Sequence, residues 1–252
     1  MIPSVLPPPP RLSDIGRAAL FLDLDGALAE IEPRPEDVGP EPWRAPVLRR
    51  LADKLGGRLA VVSGRSLEEI DRILEGSVRA VAAVHGLVRR RGDGQVMRER
   101  EHPAMAMARD RLAELQRRHP ALQLEDKGLG VALHYRRAPG LEPLVRAQSQ
   151  EIAHSAGLRL QPGDMVAEIC TPGLDKGSAV TAFMREAPFA DATPVFVGDD
   201  LTDEDGFGAA EGMGGIGILV GQERPTRASR RLPAASAVRA WLEAAVMEDA
   251  GP

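Results

Sequence analysis

Between Ala18 and Val220 the chain repeatedly sets down a short apolar run and follows it with a segment of helical periodicity, and this alternation limits the fold more than any other feature. The runs Ala18–Leu22 and Arg58–Val62 read as buried parallel strands, too short for helices and without a polar face. Between them Val47, Leu48, Leu51 and Leu55 fall at helical spacing, and Ser66-Leu-Glu-Glu69 offers a capping box for a helix through Leu74. Further strands are predicted at Val78–Val84, Pro194–Val197 and Gly217–Val220. Helices are predicted over Ser178–Arg185 and Ala234–Met247, the second with Val238, Trp241, Leu242 and Ala245 on one face. Such alternation implies an open α/β sheet with crossover helices.

The stretch from Glu101 to Thr171 follows another pattern: a helix (Ala104–Gln116), paired strands around Gly128-Leu-Gly130, a helix (Leu141–His154) and a second pair around Pro162-Gly163. Paired strands with helices indicate a small α+β unit inserted into the α/β domain. The expected organisation is therefore a core over residues 15–100 and 172–252 with an insertion at 101–171. Residues 1–14, which contain four consecutive prolines at Pro7–Pro10, read as a disordered lead.

Composition narrows the function classes. With 252 residues, 37 Asp and Glu against 32 Lys and Arg, and a net charge of −5, the chain has ordinary globular composition. Its longest apolar runs, such as Ile216–Val220, stop far short of the ~20 residues of a membrane span. The N-terminus lacks the basic start and long apolar stretch of a secretory signal. Cys170 has no second cysteine to pair with, which excludes an internal disulfide and zinc-finger spacings. A cytoplasmic location is expected. Scattered arginines and only eight aromatic residues give no stripe or stacking platform for nucleic acid, so small polar substrates are the expected partners. Of the 32 cationic residues only Lys54, Lys127 and Lys176 are lysine, so lysine positions carry unusual information.

Four segments carry chemistry. In Asp23-Leu-Asp25-Gly26 two carboxylates stand where the first strand ends, the side of an open sheet that faces a ligand crevice. The glycine implies a turn that aims the second carboxylate separately; the alternative is an acidic strand-to-turn junction. Ser63-Gly64-Arg65 ends the second strand and offers a hydroxyl, an amide and a guanidinium to phosphate oxygens, although Ser-Gly after a strand is commonly a turn. Lys176 opens a helix, where the dipole disfavours a cation unless an anion shares the site; the alternative is a surface lysine fraying off the first turn. Asp199, Asp200, Asp203, Glu204 and Asp205 crowd five carboxylates into seven residues. Oxygen-only ligands point to Mg²⁺ rather than zinc, the alternative being a helix start with Thr202 as N-cap.

With these four segments in this order, the sequence resembles the haloacid dehalogenase (HAD) superfamily of phosphotransferases. Its finer features, among them Val84-His-Gly86, Glu125 to Arg136, Val166-Ala-Glu168 and Phe196 to Asp205, are similar to those of the trehalose-6-phosphate phosphatase family. The resemblance implies a Rossmann-like parallel sheet with an inserted α+β cap that closes over the core. It also implies hydrolysis of trehalose 6-phosphate through an aspartyl-phosphate, and a functional link to trehalose-6-phosphate synthase. Asp23 would be the nucleophile and Asp25 the acid and base. Ser63, Gly64 and Lys176 would hold the phosphoryl oxygens, with Arg65 in the same loop. Asp23, the Asp25 carbonyl and Asp199 would hold Mg²⁺, with Asp200 and Asp203 as auxiliary ligands. Glu125, Lys127, Arg136 and Glu168 would contact the sugar. His85, at the end of the third strand, binds substrate or satisfies a backbone group.

Two positions depart from the family pattern. Ala27 replaces a threonine hydroxyl after Asp-Gly, and Val88 stands where a glutamate often follows His-Gly. The alternatives are another glycosyl phosphate, such as sucrose phosphate, as substrate, or a catalytically weak sugar-phosphate binding module.

Overall fold

The computed structural model describes residues 6–163 and 165–247 of the chain. It divides into two compact units, one formed by the chain up to Met97 and from Leu174 onward, the other by Arg98–Gly173.

The first unit begins with β1 (Ala18–Leu22), α1 (Arg44–Lys54), β2 (Leu59–Val62), α2 (Leu67–Leu74), β3 (Ala80–Ala83), β4 (Val88–Arg90) and β5 (Val96–Arg98), the last residue of which opens the second unit. The second holds α3 (Met105–Arg118), β6 (Gln123–Asp126), β7 (Gly130–His134), α4 (Glu142–Ala156), β8 (Arg159–Gly163) and β9 (Val166–Cys170). The chain then returns to the first unit with α5 (Lys176–Met184), β10 (Thr193–Gly198), α6 (Glu204–Gly212), β11 (Ile216–Val220), β12 (Arg230–Leu232) and α7 (Ala235–Met247).

Eight strands form the larger sheet in the order β12-β11-β10-β1-β2-β3-β4-β5. From β12 to β3 every neighbouring pair is parallel, while β4 runs antiparallel to β3. All five residues of β1 are buried, as a central strand covered on both faces requires. Below one face, Phe21 stacks on Phe189 with ring centroids 5.4 Å apart and Phe183 packs on both; Phe196 meets Phe207 edge-on at 5.7 Å. The Ser66–Glu69 capping box forms as expected and starts α2. The switch from β10 to β1 to β2 places the ends of three parallel strands side by side, where ligand crevices of open sheets lie.

The smaller sheet is antiparallel, in the order β6-β7-β9-β8. Its apolar face, including Val131, Leu133 and Ile169, packs with Met105, Leu112, Val145 and Ile152 of α3 and α4. Among the described residues no helix is long and apolar enough to cross a membrane.

The expected disordered lead over 1–14 needs correction. Met1–Val5 lie outside the described residues, but beyond them the segment is tied down. Pro7 O accepts from Arg231 N at 3.0 Å, Pro10 O accepts from Trp241 Nε1 at 2.9 Å, and Leu12 is buried in a turn of 3₁₀ helix over Leu12–Ile15. Prolines lack donors, yet their carbonyls serve as acceptors at a sheet edge. The strands β4, β5 and β12 were not predicted either: each carries arginine, and β5 is exposed throughout.

Candidate active site

Asp23 lies one residue beyond β1, and its amide donates to Val197 O of β10 at 2.9 Å, which extends the strand pairing and fixes the side chain at the sheet's carboxyl edge. The carboxylate is buried, and its Oδ2 stands 3.0 Å from Lys176 Nζ. Lys176 is the first residue of α5, capped by Asp175, whose Oδ1 accepts from Ser178 N at 2.7 Å. The same ammonium donates to Asp203 Oδ1 at 2.7 Å. An ammonium buried at a helix N-terminus, against the dipole, is sustained by these two carboxylates.

Asp203 is fully buried, and its Oδ2 accepts from the amides of Asp199 at 2.9 Å and Asp200 at 3.0 Å. The loop after β10 is thereby wrapped around one carboxylate. Asp23, Asp199 and Asp203 each offer an oxygen within 4.8 Å of the others, the group among the described residues suited to an ion at this edge. Burial, then repulsion from Asp203, raises the Asp23 carboxyl well above its ordinary range despite the pull of Lys176. Burial and Asp203 likewise push Asp199 up to about 8. Burial alone would lower Lys176, but Asp203 and Asp23 outweigh it and hold the ammonium above its usual value. Three carboxyl groups crowd this all-oxygen site, and the burial and mutual repulsion that raise Asp23 and Asp199 are what a hard divalent cation would offset.

Asp200, expected as an auxiliary ligand, stands outside this group. Its carboxylate caps the following turn, with Oδ1 accepting from Leu201 N at 2.6 Å, and thus takes the capping role expected of Thr202.

After Asp25 the chain turns at Gly26, where φ is +76° and Gly26 N donates to Ala29 O at 2.8 Å. A side chain at position 26 would put its Cβ 2.1 Å from the Asp199 carboxylate, so glycine is required both by conformation and by close approach. Just before this turn stands the Asp25 carboxylate. Arg65 grips it with two parallel bonds, Nε to Oδ2 at 2.7 Å and Nη2 to Oδ1 at 2.8 Å, while Nη1 donates to Pro35 O at 2.9 Å and to Glu69 Oε1 at 3.3 Å. Arg65 is buried and committed to these acceptors, so the phosphate contact expected of it gives way to a grip on Asp25. A planar fork suits a carboxylate as well as a phosphate, and Ser63-Gly64-Arg65 alone does not choose between them.

Ser63, buried at the end of β2, donates its amide to Ala82 O at 2.8 Å, and its carbonyl accepts from His85 N at 3.0 Å. Val84 N donates to Arg65 O at 2.9 Å, so the turn after β3 is laced to the loop after β2. Val84 and His85 hold φ of +47° and +54°, a conformation that costs a β-branched residue strain and recurs at functional sites. The His85 ring lies over Gly64, where a Cβ would sit 2.6 Å from it. His85 is thus placed against the loop that carries Ser63 and the Gly64 amide.

In the second unit, the face of the smaller sheet opposite its apolar core carries Glu125 and Glu168, two of the residues expected to contact a sugar. Glu125 and Glu168 share a row with Ala132 between them. Lys127 Nζ donates to Glu168 Oε2 at 2.8 Å and stands 4.0 Å from Glu125 Oε2. Burial would raise Glu125, but the hydrogen bond from His134 and the charge of Lys127 bring it below the ordinary carboxylate range. Arg136 is half-buried just past the end of β7, beyond Tyr135, which is buried in the apolar core.

Sequence reasoning missed three supports: the Lys176–Asp203 bond, and two arginines. Arg224 donates to Asp200 O at 2.8 Å and Asp199 O at 3.3 Å, steadying the acidic loop. Arg44, fully buried, donates to Leu28 O at 3.0 Å and Gly39 O at 2.9 Å and steadies the chain beyond the Asp25 turn. No local signal marks either arginine among the many in this chain.

Comparison with known proteins agrees with this architecture. The family model described as Trehalose-phosphatase matches residues 21–236. The trehalose-6-phosphate phosphatase of Escherichia coli (strain K12) is 41% identical over 238 residues, covering 93% of this chain and 88% of that one. The C-terminal domain of the C. albicans trehalose-6-phosphate phosphatase shares the fold with a TM-score of 0.85 at 18% identity, over 96% of this chain and 98% of that one. A phosphatase of the haloalkanoate (HAD) superfamily from Bacteroides thetaiotaomicron does so with a TM-score of 0.58 at 18% identity, over 92% and 95%. The α/β sheet with its inserted unit is thus a fold shared with these solved phosphatases. By the extent of the family match and the identity to the E. coli relative, the chain belongs to the trehalose-phosphatase family.

Proposed function

We propose that this enzyme hydrolyses trehalose 6-phosphate to trehalose and phosphate through a phosphorylated Asp23. The observation that carries the chemistry is the buried Asp23 carboxylate at the end of the central strand, 3.0 Å from Lys176 Nζ and grouped with Asp199 and Asp203. The substrate rests on the likeness to the E. coli enzyme named for it and on the polar face of the inserted unit.

In the first step an Asp23 oxygen bonds to phosphorus as the bond from phosphorus to the sugar oxygen breaks, and Asp25 gives that oxygen a proton. In the second, Asp25 takes a proton from water, which attacks phosphorus and releases Asp23 and inorganic phosphate. Lys176, Ser63 and the Gly64 amide offer donors to the equatorial oxygens, where charge spreads in the transition state. Asp23, Asp199 and Asp203 would hold Mg²⁺. Bound there, the ion would offset the repulsion between nucleophile and phosphate. Glu125, Lys127, Arg136 and Glu168 would read the hydroxyls of the uncharged disaccharide, a polar set that disfavours analogues lacking them. A synthase producing trehalose 6-phosphate is the reaction partner this assignment calls for.

The nucleophile is tested by Asp23→Asn, which keeps shape and removes the charge. Phosphate release from every ester should fall at least about 1000-fold; retained activity would remove Asp23 from the mechanism.

A further inference from the structure

One polar contact in the inserted unit has no place in this mechanism. His134, the last residue of β7, pairs in register with Gln123 and reaches diagonally to Glu125, with Nε2 2.8 Å from Glu125 Oε2. Ala132, directly opposite Glu125, is small enough to leave this diagonal open. Lys127 gives its ammonium to Glu168 at 2.8 Å and stands at 4.0 Å from Glu125, so the close donor to Glu125 is the imidazole. An ionised carboxylate only accepts, which assigns Nε2–H to the donor. The next residue anchors the strand end: Tyr135 is buried in the apolar core and its amide donates to Met165 O at 3.0 Å. Alternation therefore turns His134 away from that core and onto the face that carries Glu125 and Glu168.

We propose that His134 is a positioning residue for sugar recognition, holding Glu125 Oε2 so that the carboxylate meets a sugar hydroxyl in one fixed plane. The proposal rests on the assignment of Glu125 to the sugar. A glutamate has three side-chain torsions to freeze on binding, and a neighbour that freezes them beforehand lowers that cost. The expected signature is a loss of apparent affinity with little change in turnover, confined to substrates that carry the sugar.

The test compares trehalose 6-phosphate with p-nitrophenyl phosphate in His134→Ala, His134→Gln, Glu125→Ala and the double variant. His134→Ala should raise KM for trehalose 6-phosphate by about five- to tenfold with kcat within about twofold and p-nitrophenyl phosphate unchanged. His134→Gln, whose amide can donate from nearly the same place, should restore KM to within about twofold. In the Glu125→Ala background the alanine at 134 should add nothing. Should His134→Ala not fold, His134→Leu, matched more closely in bulk and lacking the donor, takes its place. An unchanged KM, an equal loss on both substrates, a glutamine no better than alanine, or an effect that persists without Glu125 would each overturn the proposal. If Glu125→Ala itself leaves KM for trehalose 6-phosphate unchanged, the sugar assignment of Glu125 fails and takes the role of His134 with it. If only the His134 variants are silent, that assignment stands and the positioning role alone fails.

Discussion

Arg65 holds both carboxylate oxygens of Asp25, at 2.7 and 2.8 Å, across 40 positions of sequence. The arginine is buried and the aspartate is partly open to solvent, so the buried fork sets the direction of the more exposed carboxylate. Arg65→Lys keeps the charge but loses the fork. It should lower kcat by about 100-fold for sugar and non-sugar phosphates alike, the low end of what a positioned acid and base contributes. Steady-state kinetics on two esters checks this, and a loss confined to KM would return Arg65 to the role of a phosphate ligand.

The acidic group at the end of β1 and β10 should make stability depend on a divalent cation. Binding to the folded state alone stabilises by mass action, about 2.7 kcal/mol at 100 times Kd. Thermal unfolding should therefore shift upward with Mg²⁺ and return with chelator. Asp199→Asn should abolish the shift while leaving the chelated protein folded. An undiminished shift in that variant would place the ion elsewhere.

Gly26 packs against Asp199 with no room for a side chain, and its φ of +76° is one that other residues adopt at a cost. Gly26→Ala should displace the Asp199 carboxylate, lowering kcat by about 100-fold or more and removing the Mg²⁺-induced thermal shift. A fully active alanine variant would show that the turn is not what places Asp199.

Part of the acid stability should reside in Glu186, which accepts two bonds from Arg89, at 2.9 and 2.8 Å, and one ion pair from Arg91 at 2.9 Å. The hydrogen bond from Arg89 holds this carboxyl below its ordinary value. A depressed acid binds fewer protons folded than unfolded, so its contribution is present above the unfolded value of about 4.3 and is lost as pH falls through the folded one. Glu186→Gln should cost about 2 kcal/mol at pH 7, measured by denaturant unfolding, and the gap should close as pH falls through the depressed folded value. A gap independent of pH would mean that packing, not charge, is responsible.

The parts of this molecule that were legible in its sequence are those whose cause is local. Strands β1, β2, β10 and β11 are buried on both faces and so read as apolar runs; β4, β5 and β12 carry arginines and read as loops. Asp23, Ser63 and Asp199 stand out as candidates because each follows a buried strand, which leaves an apolar run and a polar residue side by side in sequence. The pairings Arg65–Asp25 and Lys176–Asp203 join residues 40 and 27 positions apart and leave no local trace. The proline-rich lead misled because its composition says nothing of Arg231 and Trp241, which hold its carbonyls.

The central claim, a phosphatase that reads a disaccharide, is tested most directly by phosphate release from trehalose 6-phosphate and glucose 6-phosphate under identical conditions with Mg²⁺. A polar site that hydrogen-bonds the second glucose should favour the disaccharide in kcat/KM by about 10⁴-fold, and Glu125→Ala should erase much of that preference. Equal kcat/KM for the two esters would contradict the assignment and leave a sugar-phosphate phosphatase of broader taste.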